Sequence, residues 1–277
     1  MEEVYQGDAA PLRLAFRCGY LGDGFSGSQM QPGLRTVEGE FVSACMHLDL
    51  FSSHRDSGFL AAGRTDRGVH ARAQVFSFST RVPERAISAL GRRLPPDIWI
   101  TGYAKVEPGF HPRHHAISRT YRYYFKDRAL DVDAMARAAR RFDGIHDFSL
   151  FARVEGRDPL RKVISATVFK EDGLCVFEVR AESYLWHMVR YMAAALLLAG
   201  TGAGGEEVIS ARLNGDAGAR LAPAPPDGLV LWDIEYPFAF VPLSRDERSE
   251  SFLEERLGYH MTMTRLLEAF MDPGDPA

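Results

Sequence analysis

Cysteine is scarce: Cys18, Cys45 and Cys175 are the three in 277 residues, too few and too far apart for a disulfide framework or a thiolate zinc site. Long apolar runs are missing. The longest, Met192 to Ala199, is about half of the ~18 residues a membrane span requires. The amino-terminal MEEVYQGDAAP lacks the basic-then-apolar order of a secretion signal. Short-period repeats and low-complexity tracts are also missing, which excludes solenoid architectures. These absences predict a cytoplasmic enzyme or binding protein with no membrane association. What is present fits: 46% hydrophobic and 25% charged residues suit a globular chain, and the length accommodates two domains.

The net charge of −4 lacks the positive excess expected of a nucleic-acid partner, but its distribution does not. Residues 61–141 hold 16 Lys/Arg against 7 Asp/Glu, a local +9, so the other residues carry −13. Asymmetry of this size fits a basic working surface on an acidic body. A solvated face of two Arg-bearing helices would give the same count, and composition leaves both open.

The hydrophobic pattern predicts an α+β chain. Strands are expected at Leu12–Cys18, 58–63, 73–80 and Ile98–Val106, with helices from Thr36 as cap through Leu48 and from Pro83 to Leu94. A second unit follows: a strand Ile117–Phe125, a helix Val132–Phe142, strands Val163–Phe169 and Leu174–Val179 around the turn Asp172-Gly173, helices Leu185–Ala199 and Glu206–Asn214, and a closing strand Leu229–Ile234. Expected domains are therefore 1–108, 109–241 and a charged, helical tail at 242–277. The acidic tail is expected to stand apart from any RNA surface.

The stretch AAGRTDRGVHARAQVFSF, residues 61–78, carries Arg64, Asp66, Arg67, His70 and Arg72. Asp66 reads first as a turn residue, its carboxylate bonding nearby amides. A turn needs no such arginine cluster, however, and a carboxylate among cations stays ionised, suiting a nucleophile or electrostatic stabiliser. Arg190 sits in LWHMVRYMAAALLLAG, where a buried guanidinium must find an anion or snorkel to solvent, and on a helix it would share a face with Trp186. AISRTYRYYFK places Arg119, Tyr121, Tyr123 and Phe125 on one strand face and Arg122, Tyr124 and Lys126 on the other. Interleaved cations and aromatics suit stacking on flipped bases and phosphate contacts, although core strands also carry such residues. His111, His114 and His115 make a poor zinc set, with Pro112 between them and no nearby acid or Cys. GDGFSGSQ lacks the order of a serine-hydrolase elbow or a dinucleotide fingerprint. No metal and no cofactor are expected.

Taken together, these stretches resemble one family, the tRNA pseudouridine synthases A. GRTDRGVHARAQV is similar to the signature G-R-T-D-x-G-V-H-A-x-x-Q-V at every specified position. SRTYRYYF resembles the R-x-Y-R-Y strand, SYLWHMVR the F-L-x-H-M-V-R helix start, APPDGLVL the closing A-P-x-x-G-L segment, and QPGLRTVEGE a segment leading into a helix. The likeness runs from about Leu12 to Pro237. Departures are Ser28, where many members have an aromatic, Tyr191 after the helix arginine, and Asp227; Ser28 bears on the loop's substrate contacts.

The resemblance implies two similar sheet-plus-helix domains of the pseudouridine synthase type with a central cleft, and a homodimer working without cofactor on tRNA. The substrates would be uridines at positions 38–40 of the anticodon arm. Asp66 would be the catalytic aspartate, Tyr121 the aromatic that stacks on the target base, and Arg190 the basic partner of Asp66. Arg64, Arg67, His70, Arg119 and Arg122 would join Tyr121 in binding RNA. The chemistry explains a lone acid. Glycoside hydrolysis needs two carboxylates because an alkoxide leaving group must be protonated, whereas uracil leaves as a delocalised anion. Two rival classes, a non-catalytic RNA binder and a nucleoside hydrolase, are disfavoured by the joint presence of Asp66, Tyr121 and Arg190 and by the missing Asp-rich metal cluster.

Overall fold

The computed structural model describes residues 10–127, 129–216 and 221–271. In the first half, β1 (Leu12–Tyr20), β2 (Leu60–Ala61), β3 (His70–Thr80) and β4 (Ile98–Val106) alternate with α1 (Val37–His47) and α2 (Pro83–Arg93). In the second come β5 (Ser118–Phe125), α3 (Val132–Ala139), β6 (Gly144–Asp147), β7 (Leu160–Glu171), β8 (Leu174–Ala181), α4 (Met188–Gly200), α5 (Glu206–Leu213) and β9 (Leu229–Glu235). The short β10 (Val241–Pro242) and the long α6 (Glu247–Met271) complete the chain. The α+β class expected from the pattern is what is found.

Local signals set many of these ends. Thr36 Oγ1 accepts from the Gly39 amide at 3.2 Å and Asp131 Oδ1 from the Ala134 amide at 2.8 Å, so each caps a helix start. Pro83 stands in the first turn of α2, where its missing N–H costs nothing. Asp172 and Gly173 both adopt positive φ, 49° and 81°, which gives the β7–β8 hairpin its tight turn.

The ten strands among the described residues form one sheet, ordered β10-β4-β1-β3-β9-β5-β8-β7-β6, with β2 beside β3. Every pairing is antiparallel except β3–β9, where His70 meets Val230 and Ala71 meets Leu231 in parallel. The two halves of the sheet therefore join at a short seam beside the Asp66 segment. β10 carries the chain back to the edge strand β4.

Two apolar clusters support the sheet. One gathers Phe16, Phe76 and Phe78 with Phe41 of α1; the other gathers Phe142, Phe177, Met135 of α3 and Met192 and Leu196 of α4. Phe41 is fully buried with its ring 4.7 Å from that of Phe76, so truncation to Ala would cost about 3–5 kcal/mol. Tyr121 packs against both clusters.

Several boundaries differ from the sequence expectation. The strand expected at 58–63 shrinks to Leu60–Ala61, and the one expected at 73–80 begins at His70, because pairing with β9 extends it. The helix expected to Phe142 tightens into a 3-10 turn after Ala139, and β6, too short and polar to show periodicity, follows it. The helix expected from Leu185 starts at Met188, since His187 takes a left-handed conformation (φ 63°) and ends any helical path behind it. The tail is helical as expected but anchored: Arg248 donates to the Leu94 carbonyl at 3.0 Å at the end of α2, and Arg256 pairs with Asp23.

Candidate active site

Asp66 lies in the turn that leads into β3, and the backbone on both sides of it is fixed by other groups. The Val69 amide donates to the Asp66 carbonyl at 3.1 Å, closing the turn, and Gly68 supplies the positive φ of 81°. Before it, the Thr65 amide donates to Ser28 Oγ at 2.8 Å while the Ser28 amide donates to the Thr65 carbonyl at 3.0 Å. Tyr20 Oη and Thr65 Oγ1 are 2.8 Å apart, and Gln74 Nε2 donates to the Gly63 carbonyl at 2.9 Å. Ser28 is fully buried, so this departure from the family pattern braces the Asp66 loop and has no surface to offer a substrate.

The Asp66 carboxylate is thus free of the turn. Among the described residues its partners come from one place, 120 or more positions away, at the start of α4. Trp186 Nε1 donates to Oδ1 at 3.0 Å, Arg190 Nη1 donates to Oδ2 at 3.1 Å, and His187 Nε2 stands 3.1 Å from Oδ2. The left-handed turn at His187 makes this possible, aiming Trp186 and Arg190 at one anion although Trp186 lies outside the helix. The positive end of the α4 dipole favours the negative charge there. Arg153 holds Trp186 from behind, with its guanidinium 4.8 Å from the indole centroid and its amide donating to the Trp186 carbonyl at 2.9 Å. Arg190 Nε donates to the Ala224 carbonyl at 2.7 Å, so the guanidinium is fixed at both ends. It does not snorkel.

His187 is mostly buried, and its Nδ1 has no hydrogen-bond partner among the described residues. Burial lowers its pKa from the usual 6.5; Asp66 opposes the shift, and Arg190 and Arg153 reinforce it. Burial therefore favours the neutral ring. Asp66 itself keeps 28% of its side chain exposed, so one side of the carboxylate remains open to a substrate. Tyr121 flanks the site, its ring 4.9 Å from Tyr184 in an edge contact. Burial pushes its phenol up to about 12, with Asp66 adding to the shift and Arg119 opposing it.

Residues 138–237 match the family described as tRNA pseudouridine synthase. The chain is 52% identical over 255 residues to tRNA pseudouridine synthase A of Methanoculleus marisnigri, covering 92% of this chain and 94% of that one. The synthase A of Methanosphaerula palustris is 51% identical over 256 residues (92% and 91% covered), and that of Pyrococcus furiosus 35% identical over 261 (93% and 97%). The chain belongs to the tRNA pseudouridine synthase A family. Pseudouridine synthases are isomerases. A crystal structure of a Cbf5-Nop10-Gar1 complex overlaps at 16% identity and a TM-score of 0.35, over 67% of this chain and 44% of that one, too distant to carry an argument.

In this synthase the structure gathers Asp66, Arg190 and Tyr121, but it scatters the other residues singled out by sequence. Arg64 and Arg67 flank Asp66 with exposed side chains and no ion pair among the described residues. Arg119 is buried, its guanidinium donating to the carbonyls of Glu182 (2.9 Å), Arg113 (2.6 Å) and Ala62 (3.3 Å), so it braces the interior. Arg122 is paired with Glu178 at 2.7 Å and Glu171 at 2.9 Å and lies 3.9 Å over the Trp232 ring. His70 accepts from the Gly22 amide through Nδ1 at 3.0 Å. Residues directly opposite one another in neighbouring strands share a face. Tyr121 is opposite Leu231 and Leu231 opposite Ala71, whereas Arg122 is opposite Val230 and Val230 opposite His70. Arg122 and His70 therefore sit on the reverse of the sheet from Tyr121.

Trp186 and His187 are the site residues that motif reading did not assign. Both lie inside SYLWHMVR, but nothing local shows that two consecutive side chains can reach one carboxylate; the left-handed His187 is what allows it. The histidines at 111, 114 and 115 are held locally: His111 Nδ1 accepts from the Arg113 amide at 3.1 Å and His115 Nδ1 from the His111 amide at 3.2 Å. No helix among the described residues is long and apolar enough to cross a membrane.

Proposed function

We propose that the protein isomerises uridine to pseudouridine in tRNA, at positions 38–40 of the anticodon arm, with Asp66 as its catalytic aspartate. The observation that carries the reading is the Asp66 carboxylate itself: tied to no turn amide, held by three side chains from across the chain, and open on one side. A purely structural acid would be satisfied by its own loop.

The reaction breaks the N1–C1′ bond, with the electron pair leaving on uracil. Asp66 either forms an ester bond to C1′ or takes the C2′ proton to give a glycal-like intermediate; both routes need an ionised carboxylate. The detached uracil turns and C5 bonds to C1′, which expels the Asp66 carboxylate on the ester route or draws the abstracted proton back from Asp66 to C2′ on the glycal route. The C5 proton then departs and N1 gains a proton, so atoms balance. Delivering a stem uridine requires flipping, which costs a few kcal/mol. Tyr121 offers the flipped base a stacking edge beside Asp66. With its hydroxyl shifted to about 12, it acts as a neutral phenol and not as a phenolate base. Arg190 and Trp186 fix the two carboxylate oxygens, which pre-orients the reacting group. Exposed Arg64 and Arg67 flank the acid and supply cationic contacts to the RNA backbone. The working form is a cytoplasmic homodimer acting without cofactor.

Asp66→Asn tests the assignment. The Asn variant keeps the size and the turn, so it should fold and bind tRNA. It should release no tritium from a transcript labelled at uridine C5, and carbodiimide-block primer extension should find no pseudouridine. Turnover like the wild type by a folded Asn variant sinks the catalytic assignment. Tritium release without free uracil separates a synthase from a nucleoside hydrolase, and a mere binder releases neither.

A further inference from the structure

We propose that a cleft on the reverse face of the sheet from Tyr121, walled by the start of the carboxy-terminal helix, holds the phosphate backbone of the RNA substrate. The cleft has a volume of about 550 Å³, within the range of ligand-binding clefts, and is lined by Arg17, His70, Arg72, Trp99, Arg245 and Leu253, among others. The proposal rests on the reading of the protein as a tRNA-modifying enzyme.

Arg17, Arg72 and Arg245 come from β1, β3 and the segment before α6, and none is ion-paired among the described residues. Their neighbour Arg122 is neutralised by two glutamates. Asp233 is the one acid lining the cleft among the described residues, so three guanidinium groups face one carboxylate. Cations from separate elements that share a cavity repel one another until an anion enters.

The aromatic residues decide which part of the RNA fits. Trp232 lies between Arg72, 4.6 Å from its ring centroid, and Arg122, 3.9 Å from it. The Trp99 indole is pressed against Gly19, where an added Cβ would come within 2.4 Å of the ring, and Arg245 lies 5.8 Å from its centroid. Each ring already has a guanidinium group over it, so both serve as supports for cations. Stacked guanidinium groups still present their N–H edges, a geometry suited to phosphate oxygens. Arg17 is similarly set, its Nε donating to Thr101 Oγ1 at 3.2 Å and its guanidinium 5.4 Å from the Phe240 ring.

His70 lines the cleft and follows Asp66 by four residues, a chain length that spans at most ~14 Å. An RNA segment that delivers a uridine to Asp66 can pass over the amino-terminal end of β3 and reach the cleft. The tail, expected from its acidic composition to stand apart from RNA, instead contributes Arg245 and Leu253 to the wall, held there by the Arg248 and Arg256 contacts.

The test is tRNA affinity as a function of salt for Arg72→Glu/Arg245→Glu. Two lost phosphate contacts should raise the dissociation constant at least tenfold near 0.1 M salt. They should also flatten the log-log salt slope by roughly 1.4–1.8. The control Arg55→Glu/Arg265→Glu makes the same charge change at exposed sites outside the cleft and should shift affinity less than about threefold. Arg72→Gln/Arg245→Gln removes the cations without adding acids and serves if the charge reversal does not fold; the same flattening is expected. A cleft variant indistinguishable from the control, in affinity and in slope, overturns the proposal. Wild-type protein that binds tRNA through the cleft yet releases no tritium would sink the isomerase reading alone. A wild type active in tritium release whose cleft variants bind normally would sink the cleft alone.

Discussion

Replacing Arg190 by Met removes a cation from the Asp66 site while keeping side-chain length and apolar packing on α4. Two bonds disappear: Nη1 to Asp66 Oδ2 at 3.1 Å and Nε to the Ala224 carbonyl at 2.7 Å. A hydrogen bond to a charged group contributes about 1.5–3 kcal/mol. The bare Coulomb attraction near a protein surface, about 4 kcal/mol at 4 Å, is an upper bound that the exposed side of Asp66 screens further. If the arginine serves the reacting carboxylate, kcat/KM should fall about 10- to 150-fold, at one decade per ~1.4 kcal/mol. The Ala224 carbonyl bond is a separate loss of about 1 kcal/mol, which should lower Tm by about 2–4 °C and leave the chain folded. Trp186 and His187 still hold Asp66, so activity should fall without vanishing. Arg190→Lys restores the charge but not the two-ended grip and should land between Met and wild type. The assay is tritium release at subsaturating tRNA beside a thermal melt. A folded Met variant with kcat/KM within about threefold of wild type would refute the claim that Arg190 orients the acid.

Two further outcomes follow from the same geometry. Gly22→Ala should lower both stability and turnover, because a Cβ there would stand 2.3 Å from the Val69 carbonyl oxygen and 2.9 Å from the Gly68 carbonyl carbon, both backbone atoms of the turn that carries Asp66. Melting and tritium release measure it, and an unperturbed variant would show that the turn has slack. For His187, the folded pKa lies below the unfolded 6.5, so between the two the unfolded chain binds more protons. The stability from the neutral ring is fully present above about pH 6.5 and is lost as pH falls through the folded pKa. Protonation would place a second proton on a ring whose Nδ1 has no hydrogen-bond partner among the described residues, beside Arg190 and Arg153, with Asp66 to compensate. Denaturant melts from pH 8 to 5 should show this loss in wild type and less of it in His187→Gln; equal curves would remove His187 from the account.

Much of this protein is written locally in its sequence. Thr36 and Asp131 mark helix starts, Asp172-Gly173 a hairpin, and the Gly-bracketed Asp66 a turn, because each acts through groups within a few residues of itself. The residue types gathered at the candidate site, an acid, a cation and an aromatic, were visible for the same reason, in GRTDRG, HMVR and SRTYRYYF. Tertiary structure alone decided how they are used. That Asp66 ignores its own loop follows from the bracing by Ser28, Tyr20 and Gln74, which lie on other elements. The convergence of Trp186 and Arg190 depends on one left-handed residue that no periodicity reveals. Arg119 and Arg122 are three residues apart and equally cationic, yet one is buried among carbonyls and the other paired with glutamates on the reverse face. The β3–β9 seam and the irregular β5–β9 register set those faces. Sequence fixes which groups the chain possesses and its short-range turns. Which groups meet depends on strand pairing between residues more than a hundred positions apart, because a one-residue slip moves every side chain of a strand to the other side of the sheet.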